Sequence, residues 1–175
     1  MDIKQLIRTI PDHPKPGIQF RDITTLLLDP AGVRSAVAQL AEPFGGNQIQ
    51  KVAGVEARGF IFGLAVAMEL SVGFVPIRKP GKLPLETVGE DYELEYGSAR
   101  VEVHRDAIQA GERILLVDDL IATGGTAEAA IRVIERIGGK VDACAFVIEL
   151  PDLGGRSRIE TDGRRVLSLC SFAGE

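Results

Sequence analysis

Between Ile114 and Thr126 the sequence reads ILLVDDLIATGGT, an apolar run that delivers two adjacent carboxylates and then a Thr-Gly-Gly-Thr turn. Glycines let a backbone approach a phosphate closely. The helix expected to follow offers free N–H groups and a positive dipole end, and the threonine hydroxyls add donors. Asp118 and Asp119 would repel a polyphosphate, but they accept hydrogen bonds from vicinal sugar hydroxyls. The combination suits a sugar monophosphate. No Lys follows the glycines as in a Walker A loop, and adjacent glycines do not make GxGxxG. A plainer alternative is a strand ending in acids that cap the next helix.

Four other segments carry chemistry. GVEARGF (54–60) sets Glu56, Ala57, Arg58 and Gly59 at the end of an apolar strand, where backbone amides and a guanidinium can meet a diphosphate. IRKPGK (77–82) gathers Arg78, Lys79 and Lys82, a cation cluster or a solvated charge run. In PGIQFRDIT (16–24), Phe20 offers a flat apolar face for a base with Arg21 as a donor beside it. The same pair reads equally as a core Phe with a salt-bridged Arg. LEYG (94–97) holds Glu95 and Tyr96, and a loop glutamate is ordinarily solvated surface. No Ser-His-Asp or Cys-His constellation accompanies these residues, so a protein nucleophile is not expected.

The elements that must position these groups follow from periodicity. MDIKQLIRTI is amphipathic at helical spacing through Ile3, Leu6, Ile7 and Ile10. The Pro- and Gly-rich stretch that follows reads as an ordered surface segment. Asp29-Pro30 is an N-cap signal for a helix that stops at Pro43 and Gly45-Gly46. Residues 51–56, 59–70 and 72–79 read as strand, helix and strand, a parallel crossover. Residues 80–97 lose periodicity and read as a long loop before a strand at 98–104, and a loop of that length is functional or disordered. A strand at 113–119, a helix ending at Gly138-Gly139, and strands at 142–150 and 164–172 complete the chain. The expectation is one α/β domain over residues 1–175, with a mostly parallel sheet and its loops at the strands' carboxyl ends.

Composition excludes several classes. At 175 residues, 45% hydrophobic and 26% charged, the chain has the make-up of one globular domain. A net charge of −5 gives no broad footprint for nucleic acid or an anionic membrane. Cys144 and Cys170 lack zinc or redox spacing and read as buried thiols. No apolar run reaches spanning length and no signal peptide opens the chain, so a reducing cytoplasmic compartment is expected.

ILLVDDLIATGGT is similar to the 5-phospho-α-D-ribose 1-diphosphate (PRPP) motif of type I phosphoribosyltransferases. PGIQFRDIT, GVEARGFIFG (54–63), IRKPGKLP (77–84) and LEYG resemble, in that order, segments of the adenine phosphoribosyltransferases, spreading the likeness over nearly the whole chain. The resemblance implies a type I phosphoribosyltransferase fold: a mostly parallel central sheet flanked by helices, with a small hood from about residues 1–28. It implies transfer of the phosphoribosyl group from PRPP to adenine in purine salvage, giving AMP and diphosphate. By that likeness Asp118 and Asp119 hold the ribose hydroxyls, and Ala122, Thr123, Gly124, Gly125 and Thr126 hold the 5′-phosphate. Ala57, Arg58, Arg78, Lys79 and Lys82 meet diphosphate, some of these cations reaching it from the other subunit of a homodimer. Gln19, Phe20, Arg21 and Leu120 surround adenine, Glu95 handles the N7 proton, and Tyr96 belongs to a lid. Magnesium is implied as a companion of PRPP, with no direct protein ligand. Three other readings share parts of this pattern: a transferase for hypoxanthine, guanine, xanthine or orotate, a PRPP-sensing regulator, and a PRPP-synthesising enzyme. The regulator that binds DNA needs a basic surface or an added domain, and the synthase a nucleotide site; neither is legible here.

Overall fold

The computed structural model describes residues 1–175 apart from Asn47 and Glu95. A 3-10 turn at Ile3–Leu6, capped by Asp2, leads to β1 (Arg8–Ile10), which pairs antiparallel with β2 (Phe20–Asp22). The expected N-terminal helix is therefore a short turn followed by a strand. Ile3 and Ile7 are both buried, so the helical spacing served an element that changes from turn to extended chain between them. A four-residue helix α1 (Thr24–Leu27) precedes α2 (Pro30–Ala41). The Asp29 carboxylate accepts from the N–H groups of Ala31 at 3.0 Å and Gly32 at 3.2 Å, satisfying two otherwise free donors. Pro43 then sits in a 3-10 turn, Glu42–Phe44, that ends the helix.

Next come β3 (Lys51–Val55), α3 (Arg58–Glu69) and β4 (Gly73–Ile77). Residues 80–97 are not one long loop. They contain β5 (Thr87–Glu93), which pairs residue for residue with β6 (Ser98–His104) in an antiparallel hairpin. The strand was hidden because its acids and Gly89 break the usual apolar pattern. Glu90 answers Arg132 and Arg136 across the hairpin's face, and Arg136 also donates to the Gly89 carbonyl at 2.5 Å. The hairpin body is thus fastened to the helix that carries those arginines.

The long strand β7 (Arg113–Ile121) feeds α4 (Gly125–Arg136), then β8 (Lys140–Glu149), a short helix α5 (Gly155–Glu160) and β9 (Arg165–Ser171). The central sheet has the order β4-β3-β7-β8-β9, and all four pairings are parallel. Both faces of a parallel sheet are covered, which explains the unbroken apolar run in β7. Successive side chains alternate between faces. Leu115 and Val117 pack with Leu40, Phe62 and Val66 on the α2–α3 side, and Ile114 and Leu116 pack with Ile131, Ile134 and the hairpin's Val101 and Val103 on the α4 side.

The chain runs outward from β3 to β4, then returns across the sheet to β7 and runs outward the other way to β8 and β9. Strand order therefore reverses between β3 and β7, and a crevice opens above their carboxyl ends. GVEARGF leaves β3 there and DDLIATGGT leaves β7 there.

Candidate active site at the β3–β7 switch point

A cleft of about 460 Å³ lies at this reversal. Two helices begin at its rim, and neither has a side-chain cap: α3 starts after Ala57 and α4 after Gly124. The first N–H groups of each helix lack intrahelical partners, so two positive helix ends face one cleft. Gly124 adopts φ +87°, a left-handed conformation that turns the backbone sharply into α4. Pocket, turn and free amides together can receive an anion.

Asp118 and Asp119 stand between the two helix ends. The Asp118 carboxylate accepts the Asp119 N–H at 2.8 Å. Burial pushes the Asp118 carboxyl well above the usual carboxylate range, and the Asp119 charge adds to that rise. Asp119 is buried and its Oδ2 lies 2.6 Å from Nε of Arg58. Space around this pair is tight: a Cβ on Gly59 would lie 2.7 Å from Oδ1 of Asp118. Glycine at 59 therefore lets α3 approach the acid.

Arg58 links the cleft to the hood. Its guanidinium carbon is 5.8 Å from the centroid of the Phe20 ring, which His13 meets edge-on at 5.1 Å. Glu56 binds the neighbouring cation: Nε of Arg78 is 3.0 Å from its Oε2, and the Lys79 N–H donates to the same oxygen at 3.1 Å. Burial of Glu56 works to raise its carboxyl, but the Lys79 and Arg78 hydrogen bonds outweigh that, and it titrates below the usual range. Arg78 is thereby tethered at the cleft wall.

The structure brings together Ala57, Arg58, Arg78, Lys79, Asp118, Asp119, Leu120 and the loop Ala122–Thr126, all of which line the cleft. Lys82 does not: it is exposed, and its carbonyl accepts from Nη1 of Arg78 at 3.4 Å. Gln19, Phe20 and Arg21 lie outside the lining as well. Nη1 of Arg21 donates to Oγ1 of Thr9 at 2.7 Å, its guanidinium sits 4.4 Å above the Phe172 ring, and the Gln19 N–H donates to the Glu175 carbonyl at 3.0 Å. Those groups fasten the hood to the end of the chain. Tyr96 is exposed at the hairpin tip with Nζ of Lys15 5.5 Å from its ring centroid. Glu95 lies outside the described residues.

Sequence reasoning missed Tyr92 and Val101 of the hairpin, which complete the wall facing α4. Their signal was the alternation of β5 and β6, obscured by acids. It also missed Gly155, whose N–H donates to the Ala122 carbonyl at 3.0 Å from behind the loop. Among the described residues no group of three or more His, Cys, Asp or Glu is arranged to hold a metal ion.

A protein-family description, phosphoribosyl transferase domain, matches residues 23–167. A curated adenine phosphoribosyltransferase of Nitrosospira multiformis is 61% identical over 174 residues, covering 99% of each chain. The crystal structure of adenine phosphoribosyltransferase from Rhodothermus marinus superposes with TM-score 0.91 at 53% identity, covering 97% of this chain and 96% of that one. The Saccharomyces cerevisiae enzyme, solved with an imino-altritol bisphosphate and adenine, gives TM-score 0.89 at 38% identity over 95% of this chain and 96% of that one. A likeness this close along the full length, carried by a cleft that presents two free helix ends around paired carboxylates, means that the chain belongs to the adenine phosphoribosyltransferase family.

Proposed function

We infer that this chain transfers the 5-phosphoribosyl group of PRPP to adenine, releasing AMP and diphosphate, a purine-salvage reaction. The observation that carries this reading is the pair of uncapped helix N-termini flanking Asp118 and Asp119 in one cleft. PRPP has a phosphate at one end of a ribose diol and a diphosphate at the other, and the cleft offers an anion site at each end of a diol acceptor. Family membership supports the choice of adenine, since relatives on both sides of the bacterial and fungal divide carry that name.

In this reading the amides and hydroxyls of Ala122–Thr126 take the 5′-phosphate, and the Ala57–Arg58 turn with Arg78, Lys79 and Lys82 takes diphosphate. Asp118 and Asp119 accept the ribose hydroxyls. Burial favours the neutral Asp118 carboxyl, and the ribose hydroxyls and incoming cations would offset that by favouring its ionised form. Leu120 in the cleft floor and Phe20 in the hood would sandwich the base, with Gln19 and Arg21 at its edge. Magnesium would be carried in by PRPP rather than held by a direct ligand of this chain and would supply positive charge against the departing diphosphate, with Asp118 and Asp119 as acidic groups lining the same cleft.

The chemistry is displacement at the anomeric carbon by N9 of adenine, with a leaving group that is already stable. The protein's part is to align the two substrates and to stabilise charge at both ends. Glu95 accepts the N7 proton in the forward direction and returns it in reverse. Tyr96 and the hairpin tip close over the site, shielding a cation-like ribosyl centre from water.

Residues 1–175 form one domain whose hood spans about 1–28. A second copy covers the outward face of α3, where Ile61, Leu64 and Met68 are exposed at helical spacing. The compartment is the cytoplasm, in keeping with two free thiols: Cys144 is buried as expected, while Cys170 is only half-buried, and burial pushes them up to about 12 and about 11. Incubation with labelled adenine, PRPP and magnesium should yield AMP. Absence of AMP, or faster turnover of hypoxanthine or guanine in a base panel, would overturn the assignment.

A further inference from the structure

Behind the phosphate loop stands a charge cluster, buried at Glu149 and half-buried at Arg156, that no part of the mechanism uses. Glu149, the last residue of β8, is 6% exposed. Arg156 of α5 grips it with a two-pronged fork, Nε to Oε1 at 2.8 Å and Nη2 to Oε2 at 2.5 Å. Ser168 of β9 donates to Oε2 at 2.6 Å, and Nη1 of Arg156 donates to the Val166 carbonyl at 2.7 Å. None of these residues lines the cleft. An ion pair with one buried carboxylate adds little net stability over apolar packing, whereas a two-pronged fork fixes geometry, so what it holds in place is the more informative question.

That role is legible in what the cluster holds. Gly155, next to Arg156, donates its N–H to the Ala122 carbonyl at 3.0 Å. The fit is close: a Cβ on Gly155 would lie 2.5 Å from that carbonyl oxygen, 2.8 Å from Cγ1 of Ile121 and 3.0 Å from the Gly124 nitrogen. From the loop's side, a Cβ on Gly124 would lie 3.1 Å from Cα of Gly155 and 3.4 Å from Cδ of Arg158. Arg158 then crosses to α4 and pairs with Glu128. At the other end of the segment the Leu150 N–H donates to the Ile121 carbonyl at 3.0 Å. The stretch 149–158 thus touches the back of residues 121–125 at its two ends, through Glu149 and Leu150 on one side and Gly155 and Arg158 on the other.

We propose that Glu149, Arg156 and Ser168, acting through Gly155, are positioning residues for the phosphate loop and set the aim of its amides at the 5′-phosphate. An amide cradle has no side-chain rotamers to adjust. The direction of each N–H is set by the loop's φ and ψ, and those are held by whatever packs behind it. The fork fixes α5, Gly155 fixes the Ala122 peptide, and the Ala122 peptide begins the cradle. The proposal rests on the reading of residues 122–126 as the 5′-phosphate site.

The test compares two ligands that share the cleft but not the 5′-phosphate. AMP and inorganic diphosphate with magnesium are titrated calorimetrically into the full chain carrying Gly155→Ala, Arg156→Lys or Glu149→Gln, alongside steady-state kinetics. The expected result is a loss of AMP affinity of roughly tenfold or more with diphosphate affinity held within about twofold. KM for PRPP should rise while the Glu95-dependent pH profile of turnover stays in place. Ser168→Ala removes one hydrogen bond only, and should show the same selective loss at about threefold if the stronger variants do not fold. A fall in melting temperature with AMP affinity unchanged would reduce the cluster to a structural brace and overturn the proposal. So would equal weakening of AMP and diphosphate. Thr126→Ala separates the two levels: AMP loss there but not in Arg156→Lys sinks only the positioning role. AMP loss in neither sinks the phosphate-loop reading itself.

Discussion

Replacing Gly59 with alanine adds a single methyl group at the point where α3 meets the Asp118 carboxylate. Its Cβ would lie 2.7 Å from Oδ1 of Asp118, 3.2 Å from the Val117 carbonyl oxygen and 3.3 Å from Cγ of Asp118, whereas ordinary contact begins at 3.4 Å. Relief requires a displacement of about 0.7 Å, the difference between 3.4 and 2.7 Å. The Val117 carbonyl is sheet backbone and gives little, so the Asp118 carboxylate or the first turn of α3 must move. A misplacement near 1 Å costs on the order of a hundredfold in rate, so about 0.7 Å should cost roughly tenfold to fiftyfold in kcat/KM for PRPP. Stability should change much less. Alanine gains about 1 kcal/mol over glycine within a helix, offsetting overpacking of about 1–3 kcal/mol. The assay is steady-state kinetics with PRPP varied at saturating adenine, paired with a thermal melt. A variant that keeps kcat/KM within twofold of the parent would refute the claim that Asp118 must sit where Gly59 permits it.

Four other perturbations have definite outcomes. Glu95→Gln should lower kcat by roughly two to four orders of magnitude while raising KM for PRPP far less, and equal damage to both would remove Glu95 from acid–base duty. Asp118→Asn relieves burial of a charge beside Asp119. Because the folded carboxyl is raised, the parent's deficit grows as pH rises above the unfolded value of 3.8, so the variant's melting advantage should increase with pH above about 4 while PRPP binding weakens. Asp22 behaves oppositely: the Thr24 hydroxyl and N–H, then Arg8, hold it at about 2. Its contribution is present above pH 3.8 and lost as pH falls through about 2, so Asp22→Asn should cost on the order of 1–2 kcal/mol at neutral pH and a small fraction of that near pH 2 in melts across that range. Leu64→Asp on the exposed face of α3 should halve the sedimenting mass, and an unchanged mass would move the subunit contact elsewhere.

Much of the site was legible in sequence because its groups come in short contiguous runs. DDLIATGGT places paired carboxylates and free helix-end amides within nine residues, on a strand and helix whose periodicity is plain, and β7 and α4 are where that pattern put them. GVEARGF is likewise one strand end and one helix start. Local order along the chain determined those, since backbone geometry propagates from residue to residue.

Other features depended on partners distant in sequence. The N-terminal strand exists because it pairs with residues 20–22, and β5 exists because β6 returns beside it and Arg132 and Arg136 neutralise Glu90. Neither reason is visible in the segment itself. Arg58 was read as a diphosphate ligand, and only folding showed its Nε edge bound to Asp119, 61 residues away. The sequence by itself determined which groups are present and the helix and strand ends that carry them. Tertiary structure decided which of those groups face the cleft, because pairing, burial and charge neutralisation are settled between elements rather than within them.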